Sequence, residues 1–192
     1  MLRAILLVST LWLAGLASGQ KYFGPRCLGP YCLNRDAVVS QLLKRLGPAP
    51  PRSSEFAPYC YESPDHRVFL YLRSAEAVPP TVDAAFLSDF PNCLHMSTAL
   101  AVDNLNAWKT PEGIGIGSSE QDVLQAYGKA LREGKPDSKM YRELVKGYQK
   151  GDALPDLGDK KLQYGPTAGD LSSARFGIRN GKVCYIWLSY SD

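Results

Sequence analysis

Residues Gly113 to Lys129, GIGIGSSEQDVLQAYGK, set the tightest limits on what this chain can fold into. Glycine alternates with isoleucine. An apolar stripe of Val123, Leu124 and Tyr127 then follows at helical spacing. Ser118 with Gln121, or Ser119 with Asp122, has the spacing of an N-terminal capping box. Gly128 stands where a left-handed C-terminal cap is wanted. The stretch predicts a short strand or turn, a capped helix and a hard stop.

A looser copy lies upstream. Leu42-Leu43-Lys44-Arg45-Leu46-Gly47 matches Val123-Leu124-Gln125-Ala126-Tyr127-Gly128 in its apolar positions and its closing glycine. Each helix is followed by an aromatic strand, an alternating strand and a further strand. The order of elements therefore repeats along with the residues. The expectation is an α+β chain with helices packed on one face of an antiparallel sheet, arranged as two tandem helix-plus-sheet units, residues 20–109 and 110–192.

Residues 1–19 are different material. Met1-Leu2-Arg3 forms a short basic head, Ala4 to Leu16 an apolar run, and Ala17-Ser18-Gly19 a small-residue exit before Gln20. This is the layout of a secretory signal peptide, and the run is short of the ~20 residues a membrane span needs. No cysteine follows it, which argues against a bacterial lipoprotein anchor. The predicted location is secreted or periplasmic. An oxidising compartment permits disulfides, and five cysteines are present. Leaving one out and pairing the rest allows about fifteen arrangements. The favoured set is Cys27 with Cys32 and Cys60 with Cys93, leaving Cys184 inside a strand as a small buried hydrophobe. With 22 Lys and Arg against 19 Asp and Glu, the formal charge of +3 gives no basic footprint for nucleic acid.

The remaining elements follow from pattern. Asn34 caps a first helix carrying Val38, Val39, Leu42, Leu43 and Leu46 on one face, ended by Gly47-Pro48. Strands are predicted at Pro58–Glu62, Arg67–Arg73 and Val82–Phe90. Leu94 to Thr110 reads either as a strand over Thr98–Val102 or as a short helix from Ser97, and the strand is preferred. Lys129 to Pro136 is a polar connector. Asp137 opens another helix, with Tyr141, Leu144, Val145 and Tyr148 on one face. A short strand at Lys161–Tyr164 precedes the strongest hairpin, Ala174–Arg179 and Lys182–Tyr190 around Asn180-Gly181. The turn places Arg179 opposite Lys182, Ile178 opposite Val183 and Phe176 opposite Tyr185. Val183, Ile186 and Leu188 do not share one phase, so either both faces are covered or a bulge lies near Cys184 and Tyr185.

The run G-I-G-I-G-S-S-x-x-D-V-x-x-x-Y-G-K, with the later L-x-Y and F-x-I-x-N-G-K-V-x-x-I-x-L, resembles exported proteins of the β-lactamase-inhibitor-protein type. It is also similar to the related SmpA/OmlA-like outer-membrane lipoproteins. The resemblance covers Thr110 to Leu188 well and Asn34 to Cys93 loosely. It implies one or two helices on an antiparallel sheet, repeated in tandem in the inhibitor. No inhibitor contact residue maps onto a position here, so a target does not carry over.

Chemistry-bearing motifs are sparse. Gly113-Ile114-Gly115-Ile116-Gly117 is not the G-x-G-x-x-G of dinucleotide sites, and no P-loop lysine follows. Turn glycines explain it better than an anion site does. His66 and His95 are the only imidazoles, and no G-x-S-x-G elbow accompanies them. Cys27-x4-Cys32 lacks the second ligand pair of a zinc site. Neither cofactor nor metal is expected, and no enzyme activity. Binding is the better-supplied function. In Arg67–Arg73 the aliphatic Val68, Leu70 and Leu72 alternate with Phe69 and Tyr71. On a sheet covered by helices on one side, the aromatics would lie on the open side, joined by Tyr185 and Trp187 and extended by Tyr59 and Tyr61. The alternative is that these rings fill the core. The function expected is an exported non-enzymatic protein-binding module, in its sharpest form an inhibitor of an extracytoplasmic hydrolase. An envelope assembly or structural protein is the second reading, and a small exported hydrolase the third.

Overall fold

Strand propensity dominates the folded chain. The computed structural model describes residues 24–33, 39–47, 58–75, 81–94, 99–136, 149, 151–153, 155–165 and 172–190. The export segment, the Asn34 cap, residues 48–57, His95 and the Asp137–Tyr148 helix of the sequence reading lie outside them. A two-strand hairpin comes first, β1 (Cys27–Leu28) with β2 (Tyr31–Cys32), followed by helix α1 (Val39–Leu46). Then come β3 (Tyr59–Glu62), β4 (Phe69–Ala75), β5 (Thr81–Ser88), β6 (Leu100–Ala101) and a 3₁₀ turn at Leu105–Ala107. Helix α2 (Glu120–Tyr127) leads to β7 (Arg132–Gly134), β8 (Lys160–Tyr164), β9 (Ser172–Arg179) and β10 (Lys182–Tyr190).

Eight strands form one sheet in the order β6-β3-β4-β5-β10-β9-β8-β7, antiparallel except for β3 with β6. The expected α+β layering is thus overturned: this is a mostly β protein, not a sheet roofed by helices. The reason is one of size. Helices α1 and α2 have eight residues each, about 12 Å of length, whereas eight strands span about 34 Å across. Two such helices reach only part of one face. The two proposed halves, 20–109 and 110–192, both feed this sheet and meet where β5 pairs with β10.

The Asn180-Gly181 turn sets the register at that centre. Both residues have positive φ, 52° and 72°, as a two-residue hairpin requires. Arg179 faces Lys182 and Ile178 faces Val183, but the ladder then shifts between Val183 and Tyr185. Tyr185 lies opposite Gly177, and Phe176 faces Ile186 rather than the predicted Tyr185. This is the bulge that the uneven phase called for. Cys184 and Tyr185 both turn to one face, and Val183, Ile186 and Leu188 share the other.

Both faces are buried over the centre of the sheet. On the helical side Leu70, Leu72, Leu87, Phe176, Ile186 and Leu188 pack with Val39 and Leu46 of α1 and Val123 and Tyr127 of α2. Tyr127 stacks on Phe176 at 5.6 Å. Helix α2 is fixed by the second of the two predicted caps: Ser119 Oγ accepts from the Asp122 N–H, and the Asp122 carboxylate accepts from the Ser119 N–H. Gly128 closes it with φ 75°. On the reverse side the chain after β5 folds back over the strands. Ser88 Oγ donates to the Phe90 carbonyl at 2.7 Å, and the Asn92 amide donates to the Phe69 and Phe86 carbonyls at 3.2 and 3.1 Å. The Cys60–Cys93 disulfide clips this segment down, while Cys27–Cys32 closes the small hairpin and Cys184 stays free and buried.

Candidate functional site

Strand registers place one continuous row across the reverse face. Cys60 pairs with Tyr71, Tyr71 with Phe86, Phe86 with Trp187, Trp187 with Arg175, Arg175 with Gln163, and Gln163 with Arg132. Cross-strand partners share a face, so these seven residues form a band. The band changes character along its length. Tyr71, Phe86 and Trp187 are buried in contact with one another, at centroid distances of 5.5 to 6.0 Å. Arg175 and Gln163 are half-buried and Arg132 is exposed.

A half-turn about the β5–β10 seam explains that gradient. The rotation that carries Phe86 onto Trp187 carries Tyr71 onto Arg175 and Cys60 onto Gln163, because each pair occupies the matching rung. In the first half of the sheet Cys60 ties down the segment ending at Cys93, which seals the aromatic cluster with Phe90 and Leu94. In the second half the equivalent position is Gln163, which can form no such clip. That end of the face is left polar and only partly buried.

The residues expected to bind a partner separate accordingly. Tyr71 is 0% exposed, Tyr185 0% and Trp187 4%, all within the reverse-face cluster, while Phe69 is half-buried. Tyr59 and Tyr61 point to the opposite, helical side and are buried there. The expected exposed aromatic surface is therefore corrected. The sorting of aliphatic and aromatic side chains onto opposite faces holds for β4 and β10, but the aromatic face is covered by chain rather than by solvent. Cys60 was the missed signal for Tyr59 and Tyr61. A cysteine bonded across the reverse face forces its two neighbours to the other side. The Trp187 indole N–H, buried in this cluster, has no hydrogen-bond acceptor among the described residues.

The other motifs are locked into structure. Thr110 to Gly113 forms a turn, closed by the Gly113 N–H on the Thr110 carbonyl at 2.8 Å. Gly113 and Gly117 have φ of 86° and 83°, so the glycines serve turn geometry. At the N-terminus of α2 most amides are engaged within the chain: the Glu120 N–H donates to the Gly181 carbonyl, and Ser119 and Asp122 satisfy each other. Those hydrogen bonds hold the Asp122 carboxyl below its usual range. A shallow cleft of about 420 Å³ beside this loop is lined by Glu112, Ser118, Asp122 and Gln125. Glu112 is engaged there by the Tyr127 hydroxyl, which also contacts Thr110 at 2.6 Å.

His66 sits at positive φ in an exposed turn, with Nδ1 3.1 Å from Glu62. Ser63 is buried, donates to Asp65 at 2.6 Å and accepts from the Arg67 and Val68 N–H groups, so its oxygen is saturated by turn geometry rather than facing a base. Hydrogen bonds from Ser63 and Asn106 hold the Asp65 carboxyl low. Burial, with the negative charge of Asp89 nearby, pushes the Cys184 thiol up to about 12, which removes the thiolate a nucleophile needs. Among the described residues no group of three or more His, Cys, Asp or Glu is placed to hold a metal ion. No family model matches the chain, and neither the curated proteins nor the solved structures contain a match.

Proposed function

We propose that this chain is an exported, non-enzymatic protein-binding module that meets its partner with the polar end of the reverse sheet face. Secretion or delivery to the periplasm is part of this reading. It is supported by the two disulfides, the mark of a chain folding in an oxidising compartment, and by the signal-like first nineteen residues. No described helix is long and apolar enough to cross a membrane.

One observation carries the proposal: the Arg132–Gln163–Arg175 end of the band is polar and partly exposed on a face whose other end is sealed. A pleated sheet anchored by a buried aromatic cluster presents such side chains with little conformational freedom left to lose on binding. Inhibition of an extracytoplasmic hydrolase is the sharpest form of the reading and comes from the family resemblance alone, since fold does not fix function. Assembly work in the envelope is the alternative. The test is a pull-down from the extracytoplasmic fraction with the mature chain, followed by calorimetry on the captured protein. A stoichiometric complex that Gln163→Ala weakens by about 1 kcal/mol or more is expected. Turnover of a hydrolase substrate panel by the chain, lost in His66→Ala, would overturn it. Tyr71 and Trp187 are unsuitable probes, because truncating buried rings destabilises the fold itself.

A further inference from the structure

We propose that the surface around Gln163 docks an acidic segment of a protein partner through Arg132 and Lys161, an inference that rests on the binding-module reading above. Arg132 lies directly across the ladder from Gln163, and Lys161 is the next residue of β8 on the same face. Directly opposed residues are about 5 Å apart and i, i+2 neighbours about 7 Å. Two cations therefore bracket one amide within reach of neighbouring carboxylates. Three other cations are satisfied within the molecule, while Lys109, Lys129 and Lys182 stand singly and, like Arg132 and Lys161, take part in none of the ion pairs among the described residues. Arg73, on the same face, is held by Asp83 at 2.9 Å, and Arg179 by Asp89 and the Asp156 carbonyl. Lys160 turns to the helical side, where it meets Glu120 and Glu133 at 2.5 and 3.3 Å.

Charge complementarity thus selects a carboxylate-bearing occupant. An anionic membrane would meet the same charges. However, peripheral attachment draws on apolar side chains entering the interface, and Leu131 is the single large apolar side chain exposed among the described residues. A protein segment fits better.

The test titrates the mature chain against a fluorescein-labelled glutamate-rich peptide by anisotropy, with phosphatidylglycerol vesicles in a parallel arm. The peptide is expected to bind at low salt and to weaken as the Debye length shrinks. The double variant Arg132→Glu/Lys161→Glu should lose roughly tenfold or more in affinity, whereas Lys129→Glu, exposed beyond α2, should change it less than about twofold. Both target side chains lie outside the core, and Arg132→Gln/Lys161→Gln repeats the measurement without introducing acidic groups. Equal peptide binding by the double variants, no peptide binding at all, or tighter binding to vesicles than to peptide each overturns the proposal. A captured partner that the double variants hold as tightly as the parent chain also overturns it, while leaving the binding-module reading intact. Peptide binding lost with the two cations, in a chain that captures no partner, supports this surface and counts against the wider reading.

Discussion

Gly177 is held to glycine by the ring laid over it. A Cβ built there would meet Tyr185 Cε1 at 2.0 Å and Cδ1 at 2.1 Å, and the bulge that aims Tyr185 across the strand leaves that ring no room to retreat. Gly177→Ala is expected to cost about 1–3 kcal/mol, the usual range for overpacking, read as a lower urea midpoint with unchanged slope. Cys184, beside it, is sealed and kept as a thiol. A thiol reagent at neutral pH should leave it unlabelled in the folded chain and label it once the chain is unfolded in denaturant. Labelling at equal rates in both states would show that the bulge opens readily. Part of this environment was legible in the sequence, where the uneven phase of Val183, Ile186 and Leu188 already allowed a bulge near Cys184 and Tyr185. Cys184 was readable as a buried hydrophobe, but the glycine–tyrosine contact depends on a register shift that only the pairing of β9 with β10 creates.

Helix α2 and the two disulfides show how elements differ in what they hold. An eight-residue helix is too short to be stable alone, so its cap matters. Ser119→Ala, which removes the acceptor for the Asp122 N–H, is expected to cost about 1 kcal/mol, while Ser118→Ala, whose hydroxyl accepts only the Gly115 N–H outside the helix, should cost less. Thermal melts of the two variants decide between the capping boxes. The disulfides rank by the loop each closes. Cys27 and Cys32 are 5 residues apart, and Cys60 and Cys93 are 33 apart. Loop-closure entropy then assigns about 2 kcal/mol to the first and about 3–4 kcal/mol to the second. Cys60→Ser/Cys93→Ser should also raise the exposure of Trp187 to an aqueous quencher, since the covering segment is released. At this scale much was readable. The alternation in β4, the Asn-Gly turn and the favoured cysteine pairs all appear as expected, and the strand preferred over Thr98–Val102 survives as the two residues of β6. The edge strand β7 was not foreseen, because Arg132-Glu133-Gly134 has the polar composition of a connector and the charge that guards a sheet edge. The cover over the aromatic face was only half visible: the Cys60–Cys93 pair was favoured from sequence, but the face it crosses and the Asn92 amide's bonds to the Phe69 and Phe86 carbonyls were not.

At the scale of the whole molecule, the hydroxyls of four described tyrosines and one thiol are held un-ionised by burial. Burial raises the pKa of Tyr31, Tyr61 and Tyr127, and pushes Tyr164 up to about 12 from an ordinary 10.0 and Cys184 to about 12 from 9.0. A group whose folded pKa is raised contributes stability that is complete below its unfolded value and vanishes as pH climbs through the folded one. The chain should therefore lose stability progressively between about pH 9 and pH 12, with the share of the tyrosinate absorbance due to these four rings rising together with unfolding rather than before it. Ionisation of all the tyrosines in a still-folded chain would contradict the burial described for them.

The placement of β10 has a further consequence for how the molecule comes into being. Among the described strands it is the last to emerge from synthesis, yet it occupies the middle of the sheet, against β5 on one flank and β9 on the other. Until residues 182–190 arrive, the early three-strand ribbon of β3, β4 and β5 keeps one margin of bare peptide groups. Such a margin invites pairing with other chains. A polypeptide stalled short of this strand would thus stay prone to associate through that margin until residues 182–190 cover it.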